Sequence, residues 1–329
     1  MRKFTFFATI VALLTNAFLV AETHGQFQPN GIQPNGNFND LRYSIEFGAK
    51  AYDRPGDDTG IPLITDAITN SVLFDSNEAT DLGAAGGAEV KFNFTNRHGT
   101  EWEFRTIIAR WDQDFLIEGA NLESPFFPTG PAAPTAVNYE YESDYFSFEL
   151  MRRRAVAPGV TLMFGPRIVS TRDMVSQSGS LTADPGDGTP PVTVTETQTF
   201  EATNILLGLQ GGIELNMPIG QSMYINSFAR LGGFTNPTEV NIGTVNDFTG
   251  VATSGRLSKQ TGTALLEVGG RLYVDIFPNA LSAYVGYEAT WIDGIALAPA
   301  QIITTGIQEV QTGNTPFFNA ATLGLRFTY

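Results

Sequence analysis

The sequence predicts an all-β protein: a closed antiparallel up-and-down transmembrane β-barrel of about ten strands, with twelve as the alternative. Three observations carry this. Segments of strand length alternate apolar and polar residues with a period of two. The connections between them alternate short and long. After the first twenty residues, no stretch is long and apolar enough to cross a membrane as a helix, so any membrane crossing falls to strands.

Composition agrees. The 329 residues include 34 glycines and 25 phenylalanines, and only 16% are charged, well below the usual quarter. There is no cysteine, which removes disulfides and thiol metal sites. The formal net charge of −15 makes the chain a poor nucleic-acid binder.

Residues 1–25 open with Arg2 and Lys3, continue through an apolar run from Phe4 to Val20, and end in small or polar residues. That is the layout of a secretory signal peptide cleaved after Ala21 or Gly25; a retained anchoring helix is the alternative. Without these residues the chain holds seventeen basic and thirty-three acidic side chains, a net of −16. Residues 26–40 contain QPNG twice and read as a flexible linker, because Pro, Asn and Gly set turns and bury nothing. The barrel is expected over residues 41–329.

Ten segments have strand character: 42–52, 80–94, 100–115, 138–154, 160–172, 198–216, 222–234, 259–276, 280–292 and 315–329. Short connections fall at 95–99, 155–159, 217–221 and 277–279, and long ones at 53–79, 116–137, 173–197, 235–258 and 293–314. All tight turns then share one rim with both chain ends. A spanning hairpin within 53–79 would raise the strand count to twelve.

Within strands, parity separates two faces. The first sets Tyr43, Ile45, Phe47, Ala49 and Ala51 against Ser44, Glu46, Gly48 and Lys50. In segment 80–94, Leu82, Ala84, Ala88, Val90, Phe92 and Phe94 oppose Glu89, Lys91 and Asn93. The apolar faces match what a tilted strand needs to cross a bilayer, and they point outward into lipid. Lipid offers the backbone no hydrogen bonds, so the first and last strands must pair and close the sheet. Aromatic girdles are expected on the turn side (Phe92, Phe94, Trp102, Phe104, Phe327, Tyr329) and on the loop side (Tyr139, Tyr141, Trp291, Phe317). Trp111 has the parity opposite to Trp102, so it either points inward or follows a bulge. Arg152, Arg153 and Arg154, beside a tight turn, read as headgroup-level anchors.

Parity sends eight acidic side chains into the lumen: Glu46, Glu89, Glu103, Glu149, Glu214, Glu267, Asp275 and Glu288. Seven basic ones join them: Lys50, Lys91, Arg105, Arg167, Arg230, Arg271 and Arg326. Near-balanced charge in a narrow interior either pairs across it, giving a plugged core, or lines a narrow polar pathway. The long loops hold sixteen acidic residues against two basic ones, Arg54 and Arg256. Their densest stretches, DRPGDD and DPGDG, lack EF-hand spacing and read as solvated surface; divalent ions bridging them to glycolipid phosphates are a weaker reading. The β-prone runs VTVTETQTF and QIITTGIQEV are expected to extend strands above the membrane.

The strand ATLGLRFTY, with apolar Leu323, Leu325, Phe327 and Tyr329, resembles the final strand of outer-membrane β-barrel proteins of Gram-negative-type envelopes. A looser likeness is to barrel families of planctomycete envelopes. The resemblance is architectural, covers residues 41–329 and implies a porin-like barrel in the outer membrane. Its implied partners are the lipid bilayer and surface glycolipid, the barrel-assembly machinery that reads the final strand, and periplasmic chaperones. It places the termini in the periplasm and the long loops outside the cell. Tyr at the last position departs from the commoner Phe.

Two functions follow: a narrow pore for ions or small polar solutes, or a non-conducting structural or surface-interaction barrel acting through acidic extracellular loops. No enzyme, catalytic residue, metal or cofactor is expected. The two histidines are His24, in the signal, and His98, in a tight turn on the rim away from the long loops, and no G-x-S-x-G elbow or phosphate loop occurs. Deletion of Phe327–Tyr329 is expected to lower the amount of folded protein in the membrane fraction, measured by heat-modifiable gel migration; a normal amount would refute the role of this strand in assembly.

Overall fold

The computed structural model describes residues 42–55, 62–95, 100–119, 122–124, 134–183, 192–246, 251–302 and 309–329. The expected signal peptide, the linker and His98 lie outside the described residues. Thirteen strands are present among them: β1 (Arg42–Arg54), β2 (Pro62–Asp66), β3 (Val72–Asp75), β4 (Gly83–Thr95), β5 (Glu101–Glu118), β6 (Leu122–Glu123) and β7 (Ala136–Ala157). Then come β8 (Val160–Ala183), β9 (Val192–Pro218), β10 (Met223–Asn246), β11 (Val251–Phe277), β12 (Leu281–Asp293) and β13 (Phe317–Thr328).

Ten strands form one closed barrel in the order β1-β13-β12-β11-β10-β9-β8-β7-β5-β4, each antiparallel to its neighbours in sequence. The seam joins β1 to β13, with Ile45 opposite Phe327, Phe47 opposite Leu325 and Asp53 opposite Asn319. The other side of β1 pairs with β4, so no edge is left in the barrel wall.

The expected parity holds along the wall. On β1, Ser44, Glu46, Gly48 and Lys50 are buried inside while Phe47, Ala49 and Ala51 are exposed outside. Phe164, Leu209, Leu231, Val285 and Leu323 carry the outward apolar surface around the barrel. On the turn side Phe92, Phe94 and Phe104 pack ring to ring, and on the loop side Trp291 lies against Phe317 with centroids 4.6 Å apart. Two tight turns need a left-handed residue, which Gly159 (φ 71°) and Asn279 (φ 62°) supply at low steric cost.

Several expectations are corrected. The twelve-strand alternative fails because residues 62–75 form a short hairpin in a separate sheet, ordered β3-β2-β6, outside the barrel wall. The segment expected from residue 80 starts at Gly83 instead. Ser76–Thr80 is a one-turn helix started by a capping box, in which Asp75 Oδ1 accepts from the Glu78 N–H (2.9 Å) and Glu78 Oε2 from the Asp75 N–H (3.3 Å). Leu82, expected to face lipid, lies before the strand and is buried in the core. The run QIITTGIQEV does not extend a strand where it is described: Gln301 and Ile302 end the short helix Ala298–Ile302. VTVTETQTF does, as the start of β9.

Strand lengths are uneven. β1, β4 and β12 have 13 residues each and β13 has 12, whereas β8 and β10 have 24 and β9 and β11 have 27. One wall therefore rises well past the apolar band. On this extension most outward residues turn polar, as with Arg110, Asp112, Asp114 and Glu118 on β5, where Leu116 is the apolar exception. The long loops expected from sequence are correspondingly shorter.

An inward glycine at the seam permits close approach. A Cβ on Gly324 would lie 2.3 Å from the Phe47 carbonyl oxygen and 2.4 Å from the Tyr284 ring, too close for any side chain. Gly324→Val is expected to destabilise the barrel by roughly 1–3 kcal/mol. Gly233→Ala, with nothing within 4 Å of the added atom, should change it by less than about 0.5 kcal/mol. Urea unfolding in detergent micelles compares the two.

Candidate functional site: the barrel lumen

The inward side chains divide into stacked layers. At the turn-side end, Glu46 of β1 gathers three strands. Its Oε2 lies 3.0 Å from Lys91 Nζ and 3.1 Å from Arg271 Nη1, and accepts from the Tyr273 hydroxyl at 3.0 Å. Arg326 of β13 lies 3.8 Å from the same carboxylate and donates to the Tyr224 hydroxyl at 2.6 Å. Tyr224 and Tyr273 stack face to face, 4.6 Å apart. Asp275 sits at this rim, half-buried, and accepts from Ser282 Oγ at 2.7 Å.

Arg105 of β5 is the hub of the next layer. Its Nη2 reaches Glu89 at 2.8 Å and Glu288 at 2.6 Å, while Nη1 reaches Glu267 at 2.5 Å and Glu149 at 3.1 Å. These carboxylates come from β4, β12, β11 and β7, so one guanidinium ties walls on all sides. The planar fork suits this, because its donors point in fixed, diverging directions. Arg230 bridges Glu103 (2.9 Å), Glu149 (3.0 Å) and Glu267 (3.1 Å). Arg167 lies 2.9 Å from Glu267 and donates to Ser147 Oγ and the Tyr145 hydroxyl. Arg271 reaches Glu89 at 2.6 Å, and Lys50 joins Glu89 to Glu288. Phe228 projects among three of these guanidiniums, its centroid 4.8 Å from Arg230 and 5.9 Å from Arg105 and Arg271.

Toward the loop side the interior becomes aromatic. Tyr52 packs edge-on to Trp111 (5.5 Å), and Phe318 meets both Trp111 and Tyr145 at 5.7 Å. Trp111 thus points inward, and the β5 register is continuous on both sides with no bulge. Beyond this layer Arg54 lies 3.0 Å from Asp173 and donates to Ser143 Oγ (2.9 Å) and the Tyr141 hydroxyl (3.1 Å).

Two chain segments then fill the mouth. Leu63, Ile64 and Phe74 from the hairpin are buried inside, with Phe74 against Phe115 (5.1 Å) and Tyr139 (5.0 Å). After β12, residues 294–302 fold in, and Asn204 grips their backbone through both amide atoms. Its Oδ1 accepts from the Ala296 N–H at 2.9 Å, and its Nδ2 donates to the Ala296 carbonyl at 2.7 Å.

Some of these residues escaped the sequence reading. Arg153, expected at headgroup level with Arg152 and Arg154, is buried and paired with Glu101, Glu103 and Glu214, whereas its two neighbours are exposed. It shares the parity of inward Glu149, which was the available signal. Arg54 and Asp173, expected in solvated loops, share parity with Lys50 and Arg167 on strands that run further than expected. Tyr139 and Tyr141, expected in a loop-side girdle, are fully buried inside because they too share the parity of Glu149. At the tip of the hairpin, Asp66 accepts from the backbone N–H groups of Thr69 and Ile68, which hold its carboxyl below the ordinary range.

An apolar outer band around a charged interior, closed without an edge, is the architecture of outer-membrane β-barrels. No protein-family model and no curated protein matches the chain. Solved structures that resemble it include the outer membrane protease OmpT from Escherichia coli (8% identity, 92% of this chain and 99% of that one, TM-score 0.39). The translocator domain of autotransporter NalP from Neisseria meningitidis is another (10% identity, 98% and 96%, TM-score 0.37). A third is a major outer membrane protein from Thermus thermophilus (10% identity, 88% and 100%, TM-score 0.32). These likenesses concern the fold. The expectation that the chain is not an enzyme is corrected by them: a protease is among the matches, so this fold class does not exclude catalysis.

Removing Arg105 would leave the buried Glu89, Glu149, Glu267 and Glu288 short of a shared cation. Breaking a buried pair in this way costs about 3–5 kcal/mol, so Arg105→Met should lower the urea midpoint strongly, followed by tryptophan fluorescence. Arg256→Met, at an exposed pair with Glu239, should shift stability by less than about 1 kcal/mol.

Proposed function

We propose that this chain is a non-conducting outer-membrane barrel that displays its protein surface above the outer leaflet. The observation that carries this reading is the hub: the side chains of Arg105, Glu89 and Glu149 have no solvent-accessible surface. A narrow pore needs a continuous wet path, and its polar groups would be hydrated. Here the charges are engaged with one another across the lumen, and the aromatic layer of Tyr52, Trp111 and Phe318 is stacked above them. Opening a path would separate desolvated ion pairs, which is costly in a low-dielectric interior.

The tall wall supports the display half of the reading. Strands β8 to β11 continue past the lipid band, and inside the mouth the hairpin packs on β5 and β7 and residues 294–302 on β8 and β9, making an apolar core of their own. That is structure invested beyond what membrane anchoring requires. In this reading the tight turns face the periplasm and the tall wall faces outward. Purified, refolded protein is expected to give no discrete current steps in planar lipid bilayers. Reproducible unitary conductance from the wild type would overturn the proposal in favour of the pore.

A further inference from the structure

The triple-arginine run at the turn-side end of β7 is divided by parity. Arg153 turns into the lumen, where Glu101, Glu103 and Glu214 engage it, while Arg152 and Arg154 are exposed on the outer face. Neither of these two has an ion-pair partner among the described residues. No other outward position on the turn-side half of the described wall carries a charge. The outward arginines at the loop-side end differ. Arg110 is held by Glu142 and Arg172 by Glu201, and Asp144 lies 3.8 Å from the first and 3.7 Å from the second.

Both unengaged arginines stand at the end of an apolar column. Toward the tight turn, the outward face of β7 reads Phe146, Phe148, Leu150, Arg152, Arg154. Across the sheet, Arg152 lies opposite Trp102 of β5 and Phe164 of β8, and Arg154 lies opposite Leu162. Phe164 and Leu162 are 59% and 47% exposed, so this part of the wall offers apolar area to acyl chains. The cost of a lipid-facing arginine falls steeply from the bilayer midplane to the interface, where tryptophan also settles. The two arginines are two residues apart on one face, about 7 Å along the strand, so one phosphate can accept from both. A guanidinium fork matches phosphate oxygens. The chain as a whole is acidic, with a net charge of −15, so attraction for an anionic headgroup is local to this pair.

We infer that Arg152 and Arg154 form a binding site for an anionic phospholipid in the leaflet on the tight-turn side. The two guanidiniums donate to its phosphate, its acyl chains lie along Leu150 and Phe148 on one strand and Phe164 on the next, and Trp102 sits beside its headgroup. In the orientation proposed above, that leaflet is the periplasmic one.

The test uses full-length protein refolded into phosphatidylcholine vesicles that hold a small fraction of acyl-brominated phosphatidylglycerol or, for comparison, acyl-brominated phosphatidylcholine. Bromine quenches a tryptophan it touches. Trp111 points inward, so Trp291→Phe leaves Trp102 as the lipid-facing reporter, and Trp102→Phe leaves Trp291 at the opposite rim as the control. Trp102 should be quenched more by the brominated phosphatidylglycerol than by the brominated phosphatidylcholine, and Trp291 equally by both. In the Trp291→Phe protein, Arg152→Gln and Arg154→Gln should each lower that preference by up to about fivefold, the worth of one cation at an anionic membrane surface. Arg110→Gln should leave it unchanged. Heat-modifiable migration checks folding, and both arginines lie outside the lumen network. High salt, which needs no arginine variant, should also weaken the preference. Absence of any preference at Trp102, an equal preference at Trp291, indifference to salt, or a preference that persists when both arginines are replaced would each overturn the inference.

Discussion

Lipid offers the peptide backbone no hydrogen-bond partner, and the rest of this structure depends on that constraint. A sheet in the bilayer must satisfy every N–H and C=O from within, so it closes, and here the β1–β13 seam completes the ring. Closure fixes the parity of each strand. One face of every strand meets acyl chains and must be apolar, and the other faces an interior that ten strands make narrow. The charged residues of the wall have no position left except that interior.

Once enclosed, those charges cannot remain single. Arg105, Arg230 and Arg167 meet Glu149 and Glu267 from strands on different sides of the ring. The same contacts make the register demanding, because a one-residue slip in any strand would send its carboxylate or guanidinium into lipid. The network is weak evidence for stability relative to an apolar core of the same volume, but it is strong against loss of one member. It also occupies the space through which solutes would move, which links the electrostatics of folding to the proposed absence of conductance.

Above the bilayer the constraint relaxes, and the chain builds differently. Strands β8 to β11 run on, their outward residues become polar, and their inward residues become apolar, as with Val175, Phe200 and Val240. This is the inside-out inversion of the membrane part. The hairpin and the 294–302 segment supply the missing half of that core from the side where the wall is low. The acidic surplus of the chain is concentrated here, because inside the barrel acidic and basic groups nearly balance.

Period-two patterning and the short-long rhythm of connections pointed to the barrel class and to the face each charged residue takes, since both depend only on local alternation, but left ten or twelve strands open. Arg153, Arg54, Asp173, Tyr139 and Tyr141 were equally legible by parity, but they sat near expected strand ends, where alternation weakens and length is set by what packs on the strand. Tertiary structure alone decided that β7 to β11 extend, that residues 62–75 form a hairpin packed in the mouth and not a pair of wall strands, and that Asn204 clasps Ala296. It also decided that the charges converge on Arg105. Alternation says which face a side chain takes, whereas its partners across the lumen depend on barrel radius, stagger and closure, which arise only when all ten strands are assembled.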